Sequence, residues 1–346
     1  MKHRLSVFLF RGVMGLLTFL ALAIGTSSLH AALSQQVYFI DGSGQAIRRV
    51  DTNGANNQLL VQLATGTFNG INGGANAQQI VVDPLDGMFW TDIWHDRIRH
   101  ANLDGTGLSD VILTGNGEDI RIDPIAGKIY WTEWPDGGST TGRTLRRSDL
   151  NGANPQIVLD DSTNPGPSLH SATSLGSYFA IDSAFQKIYY LDSDGIHRIN
   201  YDGTGDSLFL GMPSGGIGLI RVDSQNHYLF YSPTATGQGV DPSAEQVFSM
   251  NLLSSTPTPQ LIYDFNIVFN NRSVLGIGLD YNHARAYMVD QFDFNIGSVN
   301  YDGTASSQSG FVGLKAFDLL AIPEPASFVL VAMGGALLLR RRARSS

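Results

Sequence analysis

The 346-residue chain contains no cysteine. That removes disulfides, thiolate metal sites and a cysteine nucleophile together. It does not argue against export, because a domain of this size can bury a stable core without covalent staples. Charge is also scarce, at 15% against 42% hydrophobic residues, a balance that excludes both a disordered acidic chain and a coiled coil. Basic residues are the scarcest where they would matter. Residues 33–322 hold 15 Lys/Arg against 30 Asp/Glu, a balance of −15, and such a surface repels nucleic acid and anionic lipid. The central stretch lacks a sustained helical period. It also lacks His-x-x-x-His, Gly-x-Ser-x-Gly and Walker signatures, and its histidines (His95, His100, His170, His197, His227, His283) are scattered.

What the chain does have is glycine, 39 residues of it, much of it in Asn-Gly and Asp-Gly pairs that favour tight turns. The N-terminus has the order of a secretion signal. Lys2, Arg4 and Arg11 precede an apolar stretch from Val13 to Ile24, and small residues follow at Ala31 and Ala32. Residues 1–32 are therefore expected to be a signal peptide, with a buried N-terminal helix as the alternative.

Between the two ends one pattern recurs. An apolar run ends in Asp, turns, and enters an aromatic strand: "IVVDPLDGMFWTD" (80–92), "IRIDPIAGKIYWTE" (120–133), "FAIDSAFQKIYYLD" (179–192), "IRVDSQNHYLFYS" (220–232) and "IGLDYNHARAYMVD" (277–290). A [DN]-x-[DN]-G turn follows at 51–54, 102–105, 149–152, 200–203 and 300–303, with a degenerate copy near Asn251. The four early glycines are 47 to 51 residues apart, the period of propeller blades. Short β-branched and aromatic runs bounded by Gly, Pro, Asn or Asp read as strands, and Asn-Gly and Asp-Gly supply the positive φ of antiparallel turns. The expected fold is all-β: six four-stranded blades over residues 33–322. The first unit, "QQVYFIDG" (35–42), lacks its first strand, and "KAFDLLAI" (315–322) is a first strand with nothing after it. Pairing the two would close the ring and remove a pair of exposed edges.

The "FWTD" at 89–92 and "YWTE" at 130–133, each followed by an Arg-containing strand and a "DG" or "NG" turn, resemble the YWTD repeat of low-density-lipoprotein-receptor-type six-bladed propellers. "YYLD" (189–192), "FYSP" (230–233) and "YMVD" (287–290) depart at the Trp and Thr positions. The resemblance covers roughly residues 35–322 and implies a rigid extracellular binding scaffold rather than an enzyme. The cysteine-rich neighbours of that receptor family are absent, so its ligands do not carry over.

A residue type that recurs in most blades is more simply structural than functional. Asp83, Asp123, Asp182, Asp223 and Asp280 are expected to accept backbone donors at the turn into strand two, with a ring of metal-binding carboxylates as the alternative. The [DN]-x-[DN]-G oxygens offer at most a weak Ca²⁺ site, lacking the longer acidic ladder of a calcium loop. Insertions fall in the strand two-to-three and four-to-one loops, at 64–78, 135–143, 160–176, 233–245 and 264–273, on one propeller face. Variable loops on a rigid scaffold are where binding resides. On that face Trp94, His95, Asp96, Trp134 and Asp136 form the candidate ligand site: exposed Trp beside carboxylates suits stacking on sugar rings. Tryptophans that merely cap the blades are the alternative. The acidic "LDSDGIHRINYDG" (191–203) reads most simply as two hairpin turns. No catalytic residue and no cofactor is singled out. A metal-dependent propeller hydrolase or lactonase, with its site at the channel mouth, is the alternative class and rests on fold analogy alone.

The C-terminus, 323–346, has three parts. Pro323, Glu324 and Pro325 precede an apolar run, and Arg340, Arg341, Arg342 and Arg344 close it. Ala326 to Leu339 makes about 21 Å of helix against about 30 Å of bilayer core, which is short for a permanent span. The order resembles the PEP-CTERM sorting signal of Gram-negative bacteria. That resemblance implies an exosortase-type processing protease as partner, a transient transmembrane segment with arginines inside, and delivery to the outer surface or an exopolysaccharide matrix. The sequence thus points to an exported, non-catalytic scaffold that binds a polysaccharide or a surface protein.

Overall fold

A computed structural model describes Gln36–Leu320 except residues 53–54, 64, 69–70, 75, 115–116, 134–143, 161–178, 193, 212–216, 234–245, 266–273, 291–294 and 311–313. The N-terminal signal reading (1–32), the Pro-Glu-Pro segment (323–346), Trp134 and Asp136 therefore lie outside the described residues, as do the loops 135–143 and 234–245 and most of 160–176 and 264–273. Among the described residues, no helix is long and apolar enough to cross a membrane.

The periodic apolar and aromatic runs all form strands. They pair as six four-stranded antiparallel sheets, so the protein is an all-β, six-bladed propeller. Blade two contains Ala77–Asp83, Gly87–Asp92, Arg97–Ala101 and Ser109–Leu113; blade three Gly117–Asp123, Lys128–Glu133, Thr144–Asp149 and Gln156–Asp160. Blade four contains Phe179–Asp182, Lys187–Asp192, Gly195–Asn200 and Ser207–Gly211; blade five Ile217–Asp223, Tyr228–Pro233, Gln246–Asn251 and Gln260–Asp264. Blade six contains Val274–Asp280, Arg285–Asp290, Asn295–Asn300 and Ser307–Gly310.

Blade one is made from both ends of the domain. Leu314–Leu320 supplies its first strand, followed by Gln36–Asp41, Ala46–Asp51 and Gln58–Gln62. The closing strand runs antiparallel to the second, with Gln36 opposite Leu320 and Phe39 opposite Phe317. First strands of neighbouring blades contact one another around the whole circle, which makes them the innermost. The insertion at 64–78, read from the sequence as a loop, forms a small hairpin of Thr65–Phe68 with Ile71–Gly74.

The core lies between blades rather than within them. Val81, Phe89, Ile98 and Ile112 of blade two meet Ile120, Ile129 and Trp131 of blade three. Tyr130, Leu145 and Val158 of blade three meet Phe179, Ile181, Ile188 and Tyr190 of blade four. The tryptophans of the aromatic strands, Trp90 and Trp131, are fully buried. The Asp-Gly turn also serves the blade junction. At Gly105 (φ +86°) and Gly203 (φ +80°) a Cβ would fall 2.3 Å from the carbonyl oxygen of Leu60 and of Val158, in the outer strand of the preceding blade. Only glycine accepts both the left-handed backbone and that approach.

Phe317, on the closing strand, is buried with Val37, Phe39 and Val50 of blade one and Tyr287, Val289 and Ile296 of blade six. Truncation of such a ring costs about 3–5 kcal/mol, so Phe317→Ala should lower the urea midpoint steeply. Leu113→Ala, on an exposed side chain of an outer strand, should change stability by under about 0.5 kcal/mol. Equal effects of the two substitutions would show that the closing strand does not hold the ring.

Candidate functional site

The aspartates that end the first strands act on the backbone. One oxygen of Asp83 accepts the N–H groups of Leu85 (2.8 Å) and Asp86 (3.0 Å). Asp123 does the same for Ile125 and Ala126, both at 3.0 Å. Asp223 takes Gln225 and Asn226, both at 2.9 Å. Asp182 and Asp280 repeat the pattern with Ala184 and Phe185, and with Asn282 and His283. The second oxygen of Asp123 and of Asp223 faces the next blade, whereas that of Asp280 lies 2.8 Å from His283 Nδ1 in its own turn. Tyr201 of blade four donates to Asp123 of blade three at 2.7 Å, and Tyr301 of blade six to Asp223 of blade five at 2.8 Å. Burial, followed by the adjacent carboxylate, raises both phenol pKa values. Blades four and six alone carry tyrosine at this turn position; the others have Thr52, Leu103, Leu150 and Leu252, and beside Leu252 the Oδ2 of Asp182 is buried with no hydrogen-bond partner among the described residues. The nearby Ser224 hydroxyl is already occupied, donating to the Ile181 carbonyl and accepting from Ser183 N–H. Burial raises the Asp182 pKa, against the two turn N–H groups, His227 and the Ser224 hydroxyl, which lower it.

The turn carboxylates are likewise satisfied locally. Asp104, Asp202 and Asp302 each accept both the N–H and the hydroxyl of a following Thr, at 2.9–3.0 and 2.6 Å. The hydroxyl is the largest influence holding each of these exposed carboxyls below the usual range.

A second set of charges lines the axis. Two residues before the strand-one aspartate stand Val81, Arg121, Ala180, Arg221 and Gly278, and in blade one the register puts Asp318 at this level, opposite Tyr38 as Arg121 is opposite Tyr130. Blades one, three and five thus contribute charge, and blades two, four and six contribute small or apolar groups. Arg121 pairs with buried Asp119 at 2.6 Å. Asp318 accepts the Val82 N–H of blade two at 2.9 Å. Arg221 is lowered to about 9, first by burial and then by the positive charge of Arg121, with Asp119 and Asp318 opposing. It stays protonated at neutral pH. Tyr281 has its pKa raised by burial first and then by Asp318 and Asp223, yet 37% of its surface is accessible. Enclosure with water access is what a channel-lining position gives. Two guanidinium groups at the centre disfavour a divalent cation, and the two carboxylates there already hold backbone or arginine donors. Among the described residues this donor set does not fit a channel metal. The sequence reading passed over these residues; the available signal was an Arg inside two otherwise apolar runs, "IRID" and "IRVD".

Of the candidate ligand residues, the structure describes Trp94, His95 and Asp96, together in the strand two-to-three turn of blade two. Asp92, fully buried, anchors that turn. Its Oδ2 lies 2.8 Å from His95 Nδ1 and accepts from Arg97 Nε and Nη2, both at 3.2 Å, while Oδ1 accepts Asn76 N–H at 3.2 Å. The Asp96 carbonyl accepts Thr114 N–H at 2.7 Å, with Asp96 itself in the left-handed region at φ 50°. His95 is buried and faces Asp92 rather than solvent. Trp94 projects between these fixed points with 45% of its surface exposed. The opposite face has its own apolar tips, Leu85 and Ile125, 80% and 78% exposed on the strand one-to-two turns.

No family model matches the chain. Protein cueball of Drosophila erecta is 27% identical over 114 residues, covering 31% of this chain and only 16% of that protein's length. Among solved structures, a chain of a nidogen/laminin complex superposes with a TM-score of 0.60 at 13% identity, over 84% of this chain and 98% of that one. A gluconolactonase of Xanthomonas campestris superposes with a TM-score of 0.51 at 14% identity, over 75% of this chain and 80% of that one. At these identities the likeness shows the propeller fold alone, and the fold is shared by binding proteins and enzymes.

Leu252→Tyr should offer a phenol to the unpartnered Asp182 oxygen and raise unfolding stability at pH 7 by about 1 kcal/mol. A donor to a carboxylate stabilises its ionised form and lowers the folded pKa. The gain is therefore fully present above the raised folded pKa of wild-type Asp182 and is lost as pH falls from there through the lower folded pKa of the variant. Urea denaturation at neutral and acid pH checks both parts; an unchanged or lowered midpoint at pH 7 would contradict the inter-blade role of this position.

Proposed function

We propose that the protein is an exported, cell-surface or matrix-associated binding protein of a Gram-negative bacterium, without catalytic activity, that holds a glycan or protein on the face bearing the long loops. The observation that carries this reading is Trp94: a large aromatic surface, 45% exposed, presented by a turn whose neighbours are fixed to buried Asp92. A rigid, amphipathic indole loses little entropy on binding and stacks well on sugar rings. Trp134 and Asp136, in the corresponding loop of blade three, would extend the same surface.

The address follows from the two ends of the chain. The signal-like N-terminus would export the domain. Pro323-Glu324-Pro325, the apolar run and Arg340–Arg342 would hold it transiently at the membrane for an exosortase-type protease, before release to the outer surface or an exopolysaccharide. The alternative, a metal-dependent hydrolase or lactonase at the channel mouth, is disfavoured by Arg121 and Arg221 at the axis.

A glycan array probed with the full-length chain, and with Trp94→Ala, tests the proposal. Binding to at least one surface polysaccharide is expected, with about tenfold loss in the variant, or ~1.4 kcal/mol. Absence of binding to any glycan would remove the sugar reading, and undiminished binding by Trp94→Ala would move the site elsewhere.

A further inference from the structure

Three blades share an arginine at one register position that the other three replace, blade five with Phe248 and blade six with Gly297. In blades one, two and three the third strand carries an arginine opposite the aromatic third from the end of strand two: Arg48 opposite Phe39, Arg99 opposite Trp90, Arg146 opposite Trp131. In blade four this position is His197, opposite Tyr190. A guanidinium is permanently charged and cannot ligate a metal; an imidazole can.

The surroundings of His197 change in the same sense. Nε2 lies 2.8 Å from Oδ1 of Asp194 and 3.9 Å from Oδ2 of Asp192. On the other edge of the ring, Nδ1 lies 3.2 and 3.3 Å from the two oxygens of Asp206, whose position is fixed by the Tyr190 hydroxyl at 2.7 Å. One ligand atom from each of Asp192, Asp194 and His197 falls within 4.8 Å of the others. Ligand atoms about a tetrahedral ion at ~2.0–2.2 Å are separated by roughly 3.3–3.6 Å, so small side-chain rotations would complete the geometry. Asp206, outside the triad, stands where metal-binding histidines have their orienting carboxylate. By accepting Nδ1–H it would leave the Nε2 lone pair directed at the two other carboxylates. Asp192 is buried at the end of a strand, whereas Asp194 is 60% exposed, which leaves an entry path and room for a water ligand.

We propose that Asp192, Asp194 and His197 form a divalent metal site of the zinc class, oriented by Asp206, on the long-loop side of blade four. One imidazole nitrogen with two carboxylates suits Zn²⁺ better than Ca²⁺ or Mg²⁺, which favour oxygen-only shells. The site is separate from both the axial charges and Trp94. It would clamp the second and third strands of the blade together.

The test is titration of the tag-free, chelator-treated full-length chain with ZnCl₂, followed by calorimetry and thermal unfolding. One equivalent should bind with micromolar or tighter affinity and raise Tm as Zn²⁺ increases, while Ca²⁺ at the same concentration leaves Tm unchanged. Asp194→Asn, on an exposed side chain, should weaken binding at least tenfold, and Asp202→Asn in the next turn should leave it intact. Lack of Zn²⁺ uptake would overturn the proposal, as would equal affinity in Asp194→Asn. So would nitrogen NMR showing both His197 nitrogens protonated in excess Zn²⁺, since the ring would then be an imidazolium held by carboxylates.

Discussion

The antiparallel pairing of Leu314–Leu320 with Gln36–Asp41 is the contact on which the rest of the ring depends. The five other blades are each continuous in sequence and could stack as an open array. An open array would leave one first strand and one blade face without a partner. Closing it with a strand from the far end of the domain gives every inner strand two neighbouring blades. It also buries Phe317 between blades six and one and brings Asp318 to the axis opposite Arg121 and Arg221. Asp318 thus joins the central charge cluster through closure, while Asp119 and Arg121 are neighbours on one strand and Arg221 comes from blade five.

The same economy governs the acidic surface. The domain carries twice as many acidic as basic residues, yet most of the recurring carboxylates have assigned tasks in the scaffold. Asp83, Asp123, Asp182, Asp223 and Asp280 turn the chain between strands one and two, and where a tyrosine is available they tie one blade to the next. Asp104, Asp202 and Asp302 close their own turns on a threonine. Beside Leu252 an oxygen of Asp182 is buried without a donor among the described residues, and His197, where the first three blades have arginine, stands among three carboxylates.

The fold was legible because its signals repeat. Five approximate copies of Asp, turn and aromatic strand reinforce one another, and the unpaired strands at the two ends of the series pointed to closure. The axial residues were not legible. Arg121 and Arg221 occur in alternate blades, so they do not form a repeat, and Asp318 lies in the one first strand that lacks the terminal aspartate. Trp94 could be read as exposed from its place after strand two, but the burial of His95 against Asp92 could not. The cluster around His197 was hidden for another reason: its carboxylates belong to two successive turns, each ordinary alone, and only the pairing of strands three and four brings Asp206 to the ring.

Hydrogen exchange measured by mass spectrometry on the folded protein tests ring closure most directly. Amides of residues 314–320 should exchange as slowly as those of the inner strands 117–123 and 217–223, because closure makes them part of the same cooperative unit. Exchange of 314–320 as fast as that of the exposed turn 102–108, with the other inner strands still protected, would show that the ring is open and contradict the account.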